Sequence, residues 1–151
     1  MGGPNAVAGL VDFDVDQDST TGLPTDVDAF RPDPGGSTGM GMEFVLDMLP
    51  ADFGADSRVP VLDLRGSTIV VTGTVKPTFS GNRLTVRVPR TLLGGDDAFM
   101  NVAVVMGNDT GPTDIAPNAG HLTLGGASPA PPFRPAGPAR KPATAASHGG
   151  A

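Results

Sequence analysis

The chain has 151 residues, about the length of one domain, and its composition excludes several kinds of site. It contains no cysteine, which rules out disulfides, thiolate catalysis and zinc sites with sulfur ligands. Fifteen of its sixteen acidic residues are aspartate, and Glu43 is the one glutamate. Because aspartate favours turns and caps whereas glutamate favours helices, this skew predicts strands and loops.

The charge is unevenly distributed along the chain. Residues 1–126 hold all sixteen acids and seven bases, whereas residues 127–151 hold three bases and no acid. An acidic body is a poor partner for nucleic acid or an anionic membrane. No apolar run approaches the roughly 18 residues of a membrane span, and the first eight residues lack the features of a signal peptide. We therefore expect no nucleic-acid partner, no membrane insertion and no export signal in this chain.

The first two strands are predicted from strict alternation of apolar and polar side chains. In residues 10–18, three apolar side chains (Val11, Phe13 and Val15) alternate with aspartates. Residues 40–48 alternate in the same way, with Met, Phe and Leu on one parity. Each pattern is typical of a half-buried strand, and no helical period of useful length is found.

Later segments complete the pattern of an all-β domain. Further strands are predicted at residues 61–64, 67–75, 83–88, 99–106 and 121–124, with a hairpin loop at 76–82 and a longer loop at 108–120. Residues 91–95 predict a single helical turn stopped by glycine. The run 99–106 is apolar on both parities and predicts a central strand covered on both faces. Residues 1–126 are thus expected to form a small antiparallel β-sandwich.

The last 25 residues have a different composition. Residues 127–151 are rich in Pro, Ala and Gly, and Phe133 is their one large apolar side chain. Such a segment cannot bury enough surface to offset its ordering entropy, which predicts a disordered, partly polyproline II tail or linker. The alternative is a docking role, because Pro-Pro-Phe-Arg-Pro is weakly similar to a polyproline II ligand.

Acidic residues are concentrated in one stretch and predict a cation site. Four carboxylates occupy alternate positions and two more follow a Thr-Gly turn, giving Asp12, Asp14, Asp16, Asp18, Asp26 and Asp28. Like charges on one strand face repel, and calcium, which takes about six to eight oxygen ligands, would compensate them. The spacing is not that of an EF-hand, because Ser19 and Thr25 stand where glycine and the bidentate acid are needed. The alternative is that these acids line a solvated strand face and cap the turn at residues 18–22.

Other candidate sites are weaker. The loop 107–121 contains Asp114 and Asn118, which would lie beside an ion or polar ligand or else form the Asx turns of a structured loop. A histidine metal site is not expected, because His121 has no second histidine nearby in the sequence. Catalysis is not expected either, because no activated nucleophile is recognisable. The alternative is glycoside hydrolysis by Glu43 and Asp47 on one strand face.

Several segments resemble bacterial extracellular β-sandwich modules of the DOMON-like and family 9 carbohydrate-binding type. These are residues 11–22, where a strand ending in acids runs into a Thr-Gly turn, residues 82–94, and Asp96 and Asp97 followed by the run 99–105. The resemblance covers about residues 7–124. It implies a jelly-roll-like sandwich, often with calcium, in a non-catalytic accessory or adhesion role.

The resemblance also implies a location and a kind of partner. It points to a secreted or cell-surface protein, with a polysaccharide or another extracellular domain as its partner. Modules of this type usually begin with strands and a signal peptide that are not found before Ala6, so we expect the chain either to be the later part of a longer product or to have a misplaced start. The chain has no Trp and no Tyr, so carbohydrate binding would rely on polar contacts.

Overall fold

The computed structural model describes residues 8–30, 37–49, 58–108 and 111–125. The described part contains the strands β1 (Ala8–Asp14), β2 (Phe44–Asp47), β3 (Val59–Asp63), β4 (Val70–Val75), β5 (Thr78–Ser80), β6 (Arg83–Thr85), β7 (Met100–Asn108), β8 (Gly111–Ala116) and β9 (Leu122–Leu124). Its helices are α1 (Asp26–Phe30) and a 3₁₀ turn (Arg90–Leu93). The predicted all-β, sandwich-like fold is confirmed. The predictions for residues 1–7 and 127–151 lie outside the described residues.

Seven strands form one antiparallel sheet and two form a separate hairpin. The order in the large sheet is β4-β3-β2-β1-β7-β8, and β9 also pairs with β7. β8 pairs with the second part of β7 and β9 with the first part, so the two strands share one edge of β7. The hairpin β5-β6 lies apart from this sheet and provides the second layer over its core face.

The core face of the large sheet carries the apolar residues that the alternation predicted. Phe13 packs with Phe44 and Leu46 of β2 and with Val102 of β7, all of them buried. Leu84, Val86 and Val88 pack against this cluster, as predicted. The predicted hairpin is wrong in its pairing, because β6 ends at Thr85 and pairs with β5, which lies inside the predicted loop 76–82, whereas β4 pairs with β3. The 3₁₀ turn ends at Gly94, which has a φ of 73° and thus adopts the left-handed conformation that suits glycine. The glycine-stopped turn is therefore also confirmed.

At β1 and β7 the opposite face of the sheet is covered, contrary to the alternative in which the aspartates of β1 line a solvated strand face. Asp12 and Asp14 are both 0 % exposed. They were expected among solvent-facing acids because alternation separates two faces of a strand without showing which faces are covered. Helix α1 packs on this face through the buried Val27, together with Met40, Ala103 and Val105. β2 is likewise buried along its whole length rather than half-buried.

Helix α1 was not predicted, because its five residues are too few to show a helical period. Its start nevertheless has a local cause. The side-chain oxygen of Thr25 accepts a 3.2 Å hydrogen bond from the backbone N–H of Asp28, which satisfies a donor of the first turn. The same Thr25 hydroxyl lies 3.0 Å from the hydroxyl of Thr38, which links the helix to the chain that leads into β2.

β7 occupies the central position that its apolar sequence predicted. It pairs with β1 from Asn101 to Gly107 and is buried over most of that length. β8, by contrast, falls inside the segment predicted as a loop, because its glycine, proline and aspartate are typical of turns. Pairing with β7 makes it a strand, and a Cβ on Gly107 would lie 2.2 Å from the carbonyl oxygen of Gly111. Glycine at position 107 is what permits this approach.

Candidate metal centre

A row of polar side chains crosses the non-core face of the sheet at the end of β1. Asp14 of β1 pairs with Asn101 of β7, and Asn101 pairs in turn with Thr123 of β9. Glu43 precedes Phe44, whose partner in β1 is Phe13, so the register places Glu43 opposite Asp14. Residues far apart in sequence are thereby aligned across four neighbouring chain segments.

Three carboxylates converge at one end of this row. Asp14, Asp16 and Glu43 each place one carboxylate oxygen so that all three oxygens lie within 4.8 Å of one another. Asp14 and Glu43 are buried, whereas Asp16 is exposed, so the cluster opens to solvent on the Asp16 side. Among the residues that the structure describes, this is the one group of three or more His, Cys, Asp or Glu side chains arranged in this way.

The hydrogen bonds of the cluster leave one buried oxygen without a partner. Oε2 of Glu43 accepts from the backbone N–H of Val15 at 3.0 Å, and Oε1 lies 3.1 Å from the hydroxyl of Thr21. Oδ2 of Asp14 accepts from the side-chain amide of Asn101 at 3.1 Å. Oδ1 of Asp14 is buried and accepts no hydrogen bond. A buried polar atom of this kind is rare in native proteins, and an ordered water or an ion is its usual partner.

The electrostatics of the cluster favour an added positive charge. Burial raises the pKa of Glu43 above its usual range, and the charges of Asp16 and Asp14 raise it further. Arg65, the basic residue whose charge acts on Glu43 in the same region, is already bound to Asp63 at 2.6 Å. The three carboxylates therefore repel each other in a partly dry environment with little compensation from the protein.

The turn after β1 packs closely against the cluster and the chain before β2, and two glycines permit this close approach. A Cβ on Gly41 would lie 2.0 Å from the backbone oxygen of Thr21, and a Cβ on Gly22 would lie 2.4 Å from Oε1 of Glu43. Leu23 forms an isolated bridge with Met42, which fixes the turn against the chain entering β2. The hydroxyl of Thr21 is thereby held within 3.0 Å of Oδ2 of Asp16.

Two other predicted acids serve local structure. Asp18 accepts hydrogen bonds from the backbone N–H and the hydroxyl of Thr20, at 2.9 and 2.6 Å, and thus caps the turn. Asp28 accepts from the backbone N–H and the hydroxyl of Thr38, both at 2.8 Å, and ties α1 to the segment before β2. The role of Asp18 in capping the turn agrees with the alternative drawn from the sequence.

Asp12 and Asp26 form a separate carboxyl pair under helix α1. Oδ2 of Asp12 accepts from the backbone N–H of Val27 at 3.1 Å, whereas Oδ1 is buried and accepts no hydrogen bond. Burial raises the pKa of Asp12 to about 7, and the charge of Asp26 acts in the same direction. Burial also raises the pKa of Asp26, and the interaction with the side chain of Asp12 lowers it in part. Of the six predicted ligands, the structure thus brings together Asp14 and Asp16, and it adds Glu43.

The second polar loop does not assemble into a site within the described residues. Asp114 is exposed and accepts from the neighbouring backbone N–H of Ile115 at 2.9 Å, and Asn118 is also exposed. Nδ1 of His121 lies 2.7 Å from the backbone oxygen of Thr38, so this ring makes a structural contact with the segment before β2.

Comparison with known proteins identifies no family for this chain. No protein-family model, no curated protein and no solved structure matches the chain. None of the helices in the described part has the length and apolar character needed to span a membrane.

Proposed function

We propose that this protein is a non-catalytic β-sandwich module that binds a calcium ion through Asp14, Asp16 and Glu43. The observation that carries the proposal is Oδ1 of Asp14, a buried carboxylate oxygen without a hydrogen-bond donor beside two further carboxylates. An ion at this position would supply the missing partner of Asp14 and offset the repulsion that raises the pKa of Glu43.

Calcium fits the donor atoms better than other common ions. All three side chains offer oxygen, the ligand atom of hard cations, and neither sulfur nor nitrogen is part of the cluster. Calcium accepts irregular geometry and about six to eight ligands, whereas magnesium requires a near-ideal octahedron. The exposed side of the cluster, next to Asp16 and Thr21, leaves room for water to complete the coordination.

The bound ion would have a structural role. Asp14 ends β1, Asp16 lies in the turn after it, and Glu43 precedes β2, so one ion would join three chain segments. The rival hydrolase reading is not supported by spacing, because Glu43 and Asp47 are four residues apart in an extended segment, about 13 Å along the backbone. Paired glycosidase carboxyl groups lie about 5–9.5 Å apart.

The cellular setting of the module rests on the resemblance of residues 11–22 and 82–105 to extracellular β-sandwich modules. We propose on that basis a secreted or cell-surface accessory or adhesion role, with a polysaccharide or another extracellular domain as the partner. A structural calcium ion suits this setting, because extracellular modules bind calcium with Kd values of about 10⁻⁴–10⁻³ M.

Isothermal titration calorimetry with calcium tests the proposal directly. We expect one ion per chain for the wild type, and loss of binding in Asp16→Asn and in Glu43→Gln. Asp97→Asn is the matched control, because Asp97 is exposed and its Oδ1 accepts from the backbone N–H of Phe99, a bond that asparagine keeps. Absence of binding in a folded wild type, or equal loss in the control, would contradict the proposal.

A further inference from the structure

A groove lies on the core face of the large sheet, between that face and the β5-β6 hairpin. Its volume is about 520 Å³. Its floor includes Val11 of β1 and Val104 and Met106 of β7, and one wall is made by Leu84 and Val86. The lining is predominantly apolar, and the volume lies in the range of about 300–1,000 Å³ that is typical of ligand pockets.

The position of this groove is unusual for a sandwich. β1 and β7 are the inner strands of the sheet, yet Val11, Val104 and Met106 are only partly buried. The second layer consists of a two-stranded hairpin, which is too narrow to cover the whole core face of a seven-stranded sheet. Apolar floor residues in the centre of a sheet are therefore left available to a further segment of chain.

We propose that residues 127–134 of this same chain dock in the groove, with Phe133 as the anchoring side chain. The described structure reaches Gly125, and Leu124, the last residue of β9, itself lines the groove. Phe133 lies nine positions after Leu124, a reach of about 28 Å in a polyproline II conformation. The floor from Met100 to Met106 spans about 20 Å along β7, so Phe133 reaches every point of it.

The composition of the segment fits an apolar, strand-lined groove. Residues 127–133 hold three prolines and Phe133, and polyproline II chain binds without needing backbone hydrogen bonds of its own. Pre-set proline dihedrals also reduce the entropy lost on docking. Residues 127–151 carry three bases and no acid, whereas the rest of the chain carries sixteen acids and seven bases, so their net charges attract at long range. Within the groove the attraction is apolar, because the one charged side chain among its described lining residues is Arg90.

Disulfide trapping in the full chain tests this docking. Because the chain has no native cysteine, only the introduced cysteines can form disulfides. We would pair Ala136→Cys with Met106→Cys on the groove floor, and in a second protein with Leu84→Cys on the wall. The control pairs Ala136→Cys with Val71→Cys, because Val71 is 58 % exposed on the edge strand β4, away from the groove. Circular dichroism establishes that each variant is folded before oxidation.

The expected result is an intrachain disulfide in both groove pairs, forming about tenfold more slowly when Phe133→Ser is added. The rate for the Val71 pair should not respond to Phe133→Ser. A groove rate equally insensitive to Phe133→Ser would show that the segment does not dock, and would overturn the proposal. Interchain disulfides that increase with protein concentration would also overturn it, by showing that a second copy fills the groove.

Discussion

Asp14 and Asn101 face each other across β1 and β7, and the hydrogen bond between them leaves half of a buried carboxylate unpaired. The amide of Asn101 donates to Oδ2 at 3.1 Å, and the hydroxyl of Thr123 donates to Oδ1 of Asn101 at 2.9 Å. Thr123 thus orients the amide so that its donor points at Asp14. On its other side Asp14 meets Glu43 and Asp16, which are acceptors like itself. What this site lacks is positive charge.

Neutralising Asp14 should stabilise the protein when no cation is present. In Asp14→Asn the new side-chain oxygen can still accept from Asn101, while its amide can donate toward Glu43 and Asp16. In excess chelator we therefore expect a melting temperature a few degrees above that of the wild type, measured by circular dichroism because the chain has no Trp or Tyr. A lower melting temperature in chelator would show that the Asp14 charge is already compensated by the protein.

Removing the donor to Asp14 should have the opposite effect. Asn101→Ala leaves both oxygens of Asp14 without a hydrogen bond, and a buried unsatisfied acceptor costs about 1–3 kcal/mol. Denaturant unfolding in chelator should therefore show a loss of that size. Thr123→Val, which removes only the group that orients Asn101, should give a smaller loss in the same direction. An unchanged midpoint in both variants would contradict the described row of hydrogen bonds.

The close approach of the turn to the chain before β2 predicts a strong effect of one methyl group. Gly41→Ala would place a Cβ 2.0 Å from the backbone oxygen of Thr21, so backbone must move and the cluster beneath it must open. We expect a loss of stability of about 1–3 kcal/mol and weakened calcium binding. Gly66→Ala is the control, because its nearest neighbour would be 3.6 Å away. Equal behaviour of the two variants would contradict the packing of this turn.

The buried carboxyl of Asp12 predicts a specific dependence of stability on pH in chelator. Burial raises its folded-state pKa to about 7 from an unfolded value of 3.8, so the folded state holds this proton more tightly. The resulting stabilisation is complete below about pH 4 and is lost as the pH rises toward 7, by up to about 1.4 kcal/mol per pH unit. Asp12→Asn should lack this loss. Parallel stability curves from pH 4 to 8 for the two proteins would refute it.

The strands were largely predictable because their periodicity is local. Phe13 and Phe44 lie in alternating segments, and the apolar run around Val102 predicts its central position. Helix α1 was not predictable in this way, since a five-residue helix is defined by its Thr25 cap and by the packing of Val27. β8 was missed because its residues favour turns, and it becomes a strand only by pairing with β7.

The candidate site was predictable only in part, for a related reason. Asp14 and Asp16 lie in the acidic stretch 12–18, whose alternating aspartates predict a cation site. Glu43 is distant in sequence, and only the register of β1 with β2 places it opposite Asp14. Alternation also gave no indication that α1 would bury Asp12. Local pattern identifies the strand faces, and long-range pairing decides which carboxylates meet.

Thermal unfolding of the wild type and Asp14→Asn, each in excess calcium and in excess chelator, is the most direct test of the calcium site. At a calcium concentration a hundredfold above Kd, the wild type should gain about 2.7 kcal/mol and Asp14→Asn should gain nothing. The order of stability of the two proteins should therefore reverse between chelator and calcium. An equal calcium shift in both proteins, or no shift in a folded wild type, would contradict a calcium ion bound at Asp14, Asp16 and Glu43.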